Sequence, residues 1–143
     1  MRFTLPPTKE ELVGYTGFVT DLDARYVVKN FLGKTQAEAR KMYPSGQGFS
    51  TEDFTYMALD GLRYYLPPAF DYLRDEESAH DQEFCLGLLC SLSCQVRPHH
   101  HLTADVLLLI KDIAAYCDFN RKTFGLDGQE DLFDEYVQKV RAT

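Results

Sequence analysis

Residues 84–96 read FCLGLLCSLSCQV, a run of thirteen residues without a single charge. A helix that is apolar on nearly all sides belongs in the interior of a domain. The run is shorter than the roughly 20 residues that cross a membrane. We therefore predict that it forms a central buried helix, capped at Ser78, and we predict no membrane span in the chain.

Helix signals occupy the sequence on both sides of this segment. Downstream, Thr103 is a capping residue for an amphipathic stretch, and Gln129–Arg141 repeats apolar residues at helical spacing. Upstream, Asp21–Leu32 ends at a glycine, and the TQAE stretch that starts at Thr35 has the spacing of a capping box. The sequence therefore predicts an all-α fold, a single compact domain of about six helices over residues 1–143.

Two stretches depart from this regular pattern. Leu12–Thr20 carries glycines among residues that favour β-structure, which leaves a short strand or an irregular segment open. A helix capped at Ser50 or Thr51 should run as far as the pair Pro67 and Pro68. We expect it to break there, because proline lacks a backbone donor and restricts the residue before it.

The charge balance is acidic and uneven. The 143 residues carry 15 Lys and Arg against 22 Asp and Glu, a formal net charge of −7. Residues 1–72 hold 8 basic and 9 acidic side chains, whereas residues 73–143 hold 7 basic and 13 acidic ones. Proteins bind nucleic acids through clusters of Lys and Arg that displace counterions, so this composition argues against DNA or RNA as a ligand. A basic protein surface is the natural partner.

The four cysteines fit a reducing compartment. Cys85, Cys90 and Cys94 lie on the predicted central helix and Cys117 on the next one, where thiols behave as small apolar side chains. The first residues contain no apolar stretch of signal-peptide length. We therefore expect a cytoplasmic protein whose cysteines are free.

The run His99–His101 is the most metal-like feature of the sequence. Imidazoles bind zinc, nickel and copper, so a metal-binding protein that uses this loop is one open hypothesis. Three consecutive loop residues seldom point at one ion, however, and a specific site needs further ligands. We therefore assign no metal ligand and predict no cofactor.

Carboxylates crowd the junction between two predicted helices. Asp75, Glu76 and Glu77 form the centre of this acidic junction, shortly before the central helix. Such a patch suits a basic partner, although carboxylates are also favoured at helix N-termini for local reasons. These three residues are the first candidate binding site.

A second candidate site lies in the aromatic-rich stretch from residue 43 to residue 72. A helix break at two prolines exposes backbone polar groups and can form a pocket for a small ligand or an enzyme substrate. The residues that we assign to this pocket are Asp53, Asp60, Arg63, Tyr64 and Tyr65. Asp60 and Arg63 are also spaced to pair with each other, and of Tyr64 and Tyr65 we expect one to be buried and the other wetter. No catalytic residue is assigned, because no complete catalytic set is present.

Three motifs in the first half of the chain resemble those of one protein family. They are FLGKT at residues 31–35, EDFTYM at residues 52–57 and LRYYLPP at residues 62–68. Over residues 24–75 the chain is similar to a family of small bacterial proteins to which no activity is assigned. The resemblance implies a bacterial helical scaffold, and small acidic proteins of this style include immunity proteins that neutralise toxins. From the acidic second half of the chain and the acidic junction, we expect a non-enzymatic interaction protein that binds a basic partner in that manner.

Overall fold

The computed structural model describes residues 5–14, 22–96, 102–126 and 128–143. Within these ranges every regular element is a helix, which confirms the predicted all-α fold. Two short 3-10 helices span Thr51–Tyr56 and Glu76–Ser78. The α-helices are α1 (Lys9–Val13), α2 (Leu22–Phe31), α3 (Gln36–Arg40), α4 (Leu59–Leu73), α5 (Gln82–Gln95), α6 (Ala104–Phe119) and α7 (Glu130–Arg141).

Helix α5 is the central element that its sequence predicts. It packs against the 3-10 helix Thr51–Tyr56 and against α6 and α7. Its buried residues include three polar ones, Ser91, Ser93 and Gln95. Because buried polar groups need hydrogen-bond partners, Ser91 and Gln95 fix how residues 51–57 lie on the helix, whereas Ser93 donates within α5 itself.

An aromatic cluster fills the core where α2 and the 3-10 helix Thr51–Tyr56 meet α5. The Tyr43 ring lies 5.3–5.7 Å, centroid to centroid, from the rings of Phe49, Phe54 and Phe84. Phe31, near the end of α2, lies 5.9 Å from Phe54 in the 3-10 helix. Tilted ring pairs at these distances stabilise a fold beyond the area that they bury. The cluster therefore holds α2 beside the 3-10 helix.

The helix caps agree with the sequence at most positions. Thr8 and Thr35 each form a complete capping box with the glutamate three residues later. Helix α5, however, begins after Asp81, whose carboxylate accepts the backbone N–H of Phe84 at 3.1 Å. The predicted start at Ser78 is wrong, because the Ser78 hydroxyl is buried and donates to backbone carbonyls at the preceding turn instead.

The helix predicted to start at Ser50 or Thr51 divides into two elements. Ser50 caps the 3-10 helix, and the backbone is then extended at Met57 and Ala58 before α4 begins. Gln95 of α5 explains the interruption. Its side-chain amide donates to three backbone carbonyl oxygens at 2.8–3.1 Å, those of Phe54, Thr55 and Met57. These carbonyls bind a side chain instead of continuing a helical ladder.

Pro67 and Pro68 both lie inside α4, so the predicted helix break is wrong. Proline has no N–H to donate to the residue four positions earlier, which leaves the Tyr64 carbonyl without a partner from Pro68. The side-chain amide of Gln36 donates to that Tyr64 carbonyl at 2.7 Å. The Tyr43 hydroxyl donates to the next carbonyl along the helix at 2.9 Å. The segment around α3 thus supplies a hydrogen bond that α4 cannot make for itself.

The first helix packs closely on α4. The backbone N–H of Ala58 donates to the Leu12 carbonyl at 2.7 Å, and a Cβ at Gly61 would lie 2.8 Å from the same oxygen. Leu12 and Val13 belong to α1 and Gly14 is its C-cap, so a strand is wrong for these three residues, and the rest of that prediction falls on residues 15–20, outside the described ranges. No helix in the described part of the chain is long and apolar enough to cross a bilayer.

Candidate functional site

A cavity of about 360 Å³ opens between α2 and the 3-10 helix Thr51–Tyr56. Carboxylates and tyrosines dominate its lining, and we call it the Asp53 cavity. Three carboxylates face one lysine in the lining, whose side chains are those of Asp23, Tyr26, Lys29, Asn30, Ser50, Glu52, Asp53 and Tyr56. The cavity is therefore acidic and aromatic at the same time.

Asp53 is the buried carboxylate of this cavity. Its residue is only 6% exposed, whereas Asp23 and Glu52 are exposed. From the described residues, the carboxylate accepts one hydrogen bond, which the Asn30 side-chain amide donates to Oδ2 at 2.8 Å. Burial raises the pKa of Asp53, and the negative charges of Glu52 and Asp23 raise it further, whereas the hydrogen bond from Asn30 lowers it. The carboxylate is thus poorly hydrated and surrounded by like charges.

The local sequence explains why these side chains reach the cavity. Along α2, Asp23, Tyr26 and Asn30 are spaced by three and four residues and therefore share one face of the helix. On the opposite wall, Phe54 is fully buried in the aromatic cluster and anchors the adjacent Asp53. Core packing holds these two walls, and Gly48 and Ser50 of the loop before the 3-10 helix complete the lining.

A second cavity of about 290 Å³ adjoins the first, since Tyr26 and Lys29 line both. Its other lining residues are Leu22 and Arg25. Tyr26, which is 50% exposed, therefore belongs to an acidic cavity and to a basic, partly apolar one. A ligand that reaches past Tyr26 would meet carboxylates at one end and cations at the other.

Five residues were predicted to form a pocket at the prolines. Of these, only Asp53 lines the Asp53 cavity. The predicted pairing of Asp60 with Arg63 is confirmed. Arg63 also reaches α6, where its guanidinium donates to Asp105 at 2.8 Å and to Thr103 at 2.9 Å. Hydrogen bonds from Arg63 and Thr103 hold the pKa of Asp105 far below its usual range. This group of side chains joins α4 to α6.

Tyr64 and Tyr65 are both buried, so the prediction that one of them would be wetter is wrong. The Tyr65 hydroxyl lies 2.7 Å from the carbonyl oxygen of Phe31 and 2.8 Å from that of Lys34. The two tyrosine rings meet edge to face, with their centroids 4.9 Å apart. Packing of α4 against α3 and the end of α2 covers this side of the helix, and Tyr65 satisfies the backbone there.

The acidic junction is partly neutralised by the chain itself. Arg40 of α3 places its guanidinium 3.3 Å from the Asp75 carboxylate and 3.1 Å from that of Glu77. The same guanidinium lies over the Tyr72 ring, 4.8 Å from its centroid. Asp75 also caps the 3-10 helix by accepting the N–H of Glu77, whereas Glu76 is exposed. Much of this patch therefore serves the fold.

The cysteines are free, as expected. Cys85 and Cys117 are buried, and the hydrogen bond that the Cys117 thiol donates to Cys85, together with burial, raises the pKa of Cys117. Cys90 and Cys94 are half-buried. In the ranges that the structure describes, no three His, Cys, Asp or Glu side chains are grouped so that they could hold a metal ion. His99–His101 lie outside those ranges, so the metal-binding hypothesis stays a prediction.

The sequence did not identify α2 as part of the site. The signal that could have found it is the polar face formed by Asp23, Tyr26 and Asn30 beside the buried face of the same helix. That signal alone does not say which segment lies opposite. The Asn30–Asp53 contact bridges 23 residues of sequence, and it depends on how the aromatic core packs.

Comparison with models of protein families, with curated proteins and with solved structures gives no match to this chain. The similarity over residues 24–75 therefore stays a prediction. The chemistry of the site rests on its own residues: a buried carboxylate, two exposed carboxylates, one lysine and two tyrosines around one cavity.

Proposed function

We propose that this chain is a non-enzymatic interaction protein that binds a basic partner, in the manner of an immunity protein. The partner places a positive charge in the Asp53 cavity. The acidic composition favours this function. The main contact with the partner lies at the cavity beside α2 and not at the acidic junction of Asp75, Glu76 and Glu77.

One observation carries the proposal: Asp53 is a buried carboxylate with a single hydrogen bond from the described residues. Removing a charge from water costs several kcal/mol unless new partners replace its hydration. Asn30 replaces part of that hydration, while Glu52 and Asp23 make the surroundings more negative. Lys29 also lines the cavity but does not outnumber its carboxylates, so a bound cation would compensate the charge of Asp53.

The acidic junction is the weaker of the two surfaces for such a partner. Arg40 already contacts both Asp75 and Glu77, so an incoming cation would compete with a residue of the same chain. Exposed ion pairs of this kind contribute little, but they reduce the local negative potential. Lys29 lines the Asp53 cavity, but among the described residues no basic side chain forms an ion pair or hydrogen bond with the buried carboxylate.

The test combines native mass spectrometry with three matched charge reversals. The untagged chain is purified gently from the cells that make it, and we expect a protein of basic composition to co-purify. Glu52→Lys at the cavity, Glu76→Lys at the acidic junction and Asp112→Lys on α6 each replace one exposed acid by a base. Glu52→Lys should weaken partner binding by about tenfold or more, whereas the other two should change it by less than about threefold.

Each alternative result has a definite meaning. Equal losses in all three variants would show that only net charge matters and that the cavity is not the contact. A loss confined to Glu76→Lys would return the site to the acidic junction. If no variant changes the affinity, the chain does not bind its partner through these carboxylates. Thermal unfolding of each variant confirms that it is folded before the affinities are compared.

A small cationic ligand is the second candidate, since a cavity of about 360 Å³ lies within the size range of small-molecule sites. The chain would then be a ligand-binding protein or an enzyme. The pocket would be the Asp53 cavity and not a break at Pro67 and Pro68. The same mass spectrum separates the two functions, because a small ligand appears as a small added mass that is lost on denaturation.

A further inference from the structure

We infer that the Asp53 cavity is specific for a guanidinium group, and that it accepts the side chain of a single arginine on the basic partner. The inference rests on the proposed function, because it names the chemical group by which that partner is recognised. Four features of the cavity support it: the placement of the carboxylates, the free acceptor positions on Asp53, the tyrosine walls and the basic residues that line the adjoining cavity.

The placement of the carboxylates favours an organic cation over a metal ion. Asp23 comes from the first turn of α2, while Glu52 and Asp53 come from the 3-10 helix opposite. These three described side chains do not form a group that could hold a metal ion. A cavity of about 360 Å³ is also far larger than a bare ion needs. An extended cation that contacts carboxylates on both walls fits this arrangement.

The Asp53 carboxylate retains most of its acceptor capacity. A carboxylate offers about four lone-pair positions, and the described contacts fill one of them, through Asn30 at Oδ2. The bond from Asn30 also fixes the orientation of the carboxylate. A guanidinium presents several N–H donors in a rigid plane that matches a carboxylate, whereas the ammonium of lysine is a compact point charge. A carboxylate held in one orientation therefore favours the planar donor.

The walls of the cavity suit the flat faces of the same group. Tyr26 on α2 and Tyr56 at the end of the 3-10 helix both line the cavity. Guanidinium groups stack on aromatic rings and are more weakly hydrated than ammonium groups, so they lose less on entering a partly buried site. Arginine also buries its aliphatic stem against apolar surface while its charged end forms hydrogen bonds.

The adjoining cavity limits what can flank the arginine. Arg25 lines it next to Tyr26, and Lys29 lies on the wall that the two cavities share, so these cations would repel a second cation placed beside the first. The site therefore selects an isolated arginine over a run of basic residues. This preference distinguishes specific recognition from the general attraction of a polycation to an acidic protein.

The test is an NMR titration of the full chain with capped tripeptides that differ in one side chain. Glycyl-arginyl-glycine is compared with glycyl-lysyl-glycine and with glycyl-citrullyl-glycine, in which the side chain keeps its shape and loses its charge. The side-chain amide of Asn30 and the backbone amide of Tyr26 report binding at the cavity. We expect the arginine peptide to bind at least about tenfold more tightly than the lysine peptide, and the citrulline peptide to cause no shifts.

Matched variants assign the binding to the cavity. Asp53→Asn keeps a carbonyl oxygen for Asn30 and should weaken arginine binding by about tenfold, while Tyr26→Ala should weaken it by a few-fold. Asp112→Asn, an equal charge change on α6, should leave it unchanged. A peptide with three consecutive arginines should bind no more tightly than the peptide with one.

The contrary results are equally clear. Equal affinity for the arginine and lysine peptides, or unchanged binding to Asp53→Asn, overturns the inference, and a partner sensitive to Glu52→Lys would leave the proposed function standing. If free arginine binds more tightly than the arginine peptide, the natural ligand is a small molecule and not the side chain of a partner protein. If the arginine peptide binds through Asp53 but the co-purified partner is indifferent to Glu52→Lys, the proposed function fails and the guanidinium specificity remains.

Discussion

The side-chain amide of Asn30 donates a hydrogen bond of 2.8 Å to the carboxylate of Asp53. This bond joins α2 to the 3-10 helix Thr51–Tyr56 across the cavity that they form. It holds the carboxylate in one orientation but compensates only part of its charge, since burial and two like-charged neighbours act against the ionised form. One contact thus keeps the walls together and leaves an acceptor available for a cation.

Asp53→Asn should stabilise the unliganded chain at neutral pH. Burial raises the pKa of Asp53, so the folded state binds this proton more tightly than the unfolded state, and the ionised carboxylate destabilises the fold at pH 7. We expect the Tm to rise by about 1–3 °C at pH 7. The gain should shrink as the pH falls towards about 4, the usual pKa of an aspartate, because Asp53 takes up its proton in the folded state first. Differential scanning calorimetry measures both effects.

Asp112→Asn is the control for this stability change, because Asp112 is exposed on α6. It should alter the Tm at pH 7 by less than about 1 °C, as most exposed substitutions do. A Tm of Asp53→Asn below that of the unsubstituted chain at pH 7 would show that the Asp53 charge stabilises the fold, and a structural role would replace the binding role.

Asp81→Ala should destabilise the chain, with the opposite pH dependence. The Asp81 carboxylate caps α5 and accepts hydrogen bonds from Ser45 and from the Tyr72 hydroxyl. Burial raises the pKa of Asp81, but these hydrogen bonds outweigh it and lower the pKa overall. Its stabilisation is therefore complete above about pH 4 and is lost as the pH falls through the lowered pKa of the folded state.

We expect Asp81→Ala to lower the free energy of unfolding by about 1–2 kcal/mol at pH 7, the range for losing an N-cap with further hydrogen bonds. Urea unfolding at pH 7 and at pH 3 measures the loss, which should be smaller at pH 3. An equal loss at both values would mean that the charge of Asp81 contributes nothing and that only its size and shape matter.

Gln95→Leu should be among the most destabilising substitutions in α5. The Gln95 side-chain amide binds three carbonyls, two near the end of the 3-10 helix and one just after it, and leucine would leave them without this donor. Unsatisfied buried acceptors cost about 1–3 kcal/mol each before relaxation, so we expect a total loss of about 2–4 kcal/mol. Ser93→Ala is the control, because the Ser93 hydroxyl donates to Cys90 within its own helix.

Ser93→Ala should cost less than about 1 kcal/mol, since its hydrogen bond is local and joins no second element. Denaturant unfolding gives both values. If Gln95→Leu costs no more than Ser93→Ala, the extended backbone at Met57 and Ala58 does not depend on Gln95, and another cause must end the 3-10 helix.

Gln36 and Pro68 should behave as a coupled pair. Gln36→Ala removes the donor to the Tyr64 carbonyl and should cost about 1–2 kcal/mol. In a Pro68→Ala background the alanine N–H can donate to that carbonyl, so the same Gln36→Ala change should cost about 1 kcal/mol less. A double-mutant cycle by urea unfolding measures the coupling. Additive effects of the two substitutions would mean that the glutamine does not substitute for the missing helical bond.

Local interactions explain what the sequence could predict. The uncharged run at residues 84–96 does form the buried central helix, because burial on all sides requires an apolar surface on all sides. The capping boxes at Thr8 and Thr35 also form, since each joins groups only three residues apart. The Asp60–Arg63 pair follows from the same short spacing.

Long-range side-chain contacts explain what the sequence could not predict. Gln95 interrupts one helix by binding carbonyls about 40 residues away, and in another helix Gln36 supplies, from 28 residues away, the hydrogen bond that Pro68 cannot donate. The candidate site depends on the same kind of contact, between Asn30 and Asp53. The sequence predicted Asp53 as a site residue. It did not predict the cavity, because α2 forms the opposite wall and is distant in sequence.

The double proline of α4 has an evolutionary consequence. Once the Tyr64 carbonyl takes its hydrogen bond from Gln36, a mutation at position 36 is harmful while Pro68 is present and nearly neutral when it is absent. The two positions should therefore covary among descendants of this chain, with a side-chain donor at 36 retained wherever position 68 is proline. Selection would then preserve Gln36 on the short helix α3 because its side chain binds the Tyr64 carbonyl oxygen of α4.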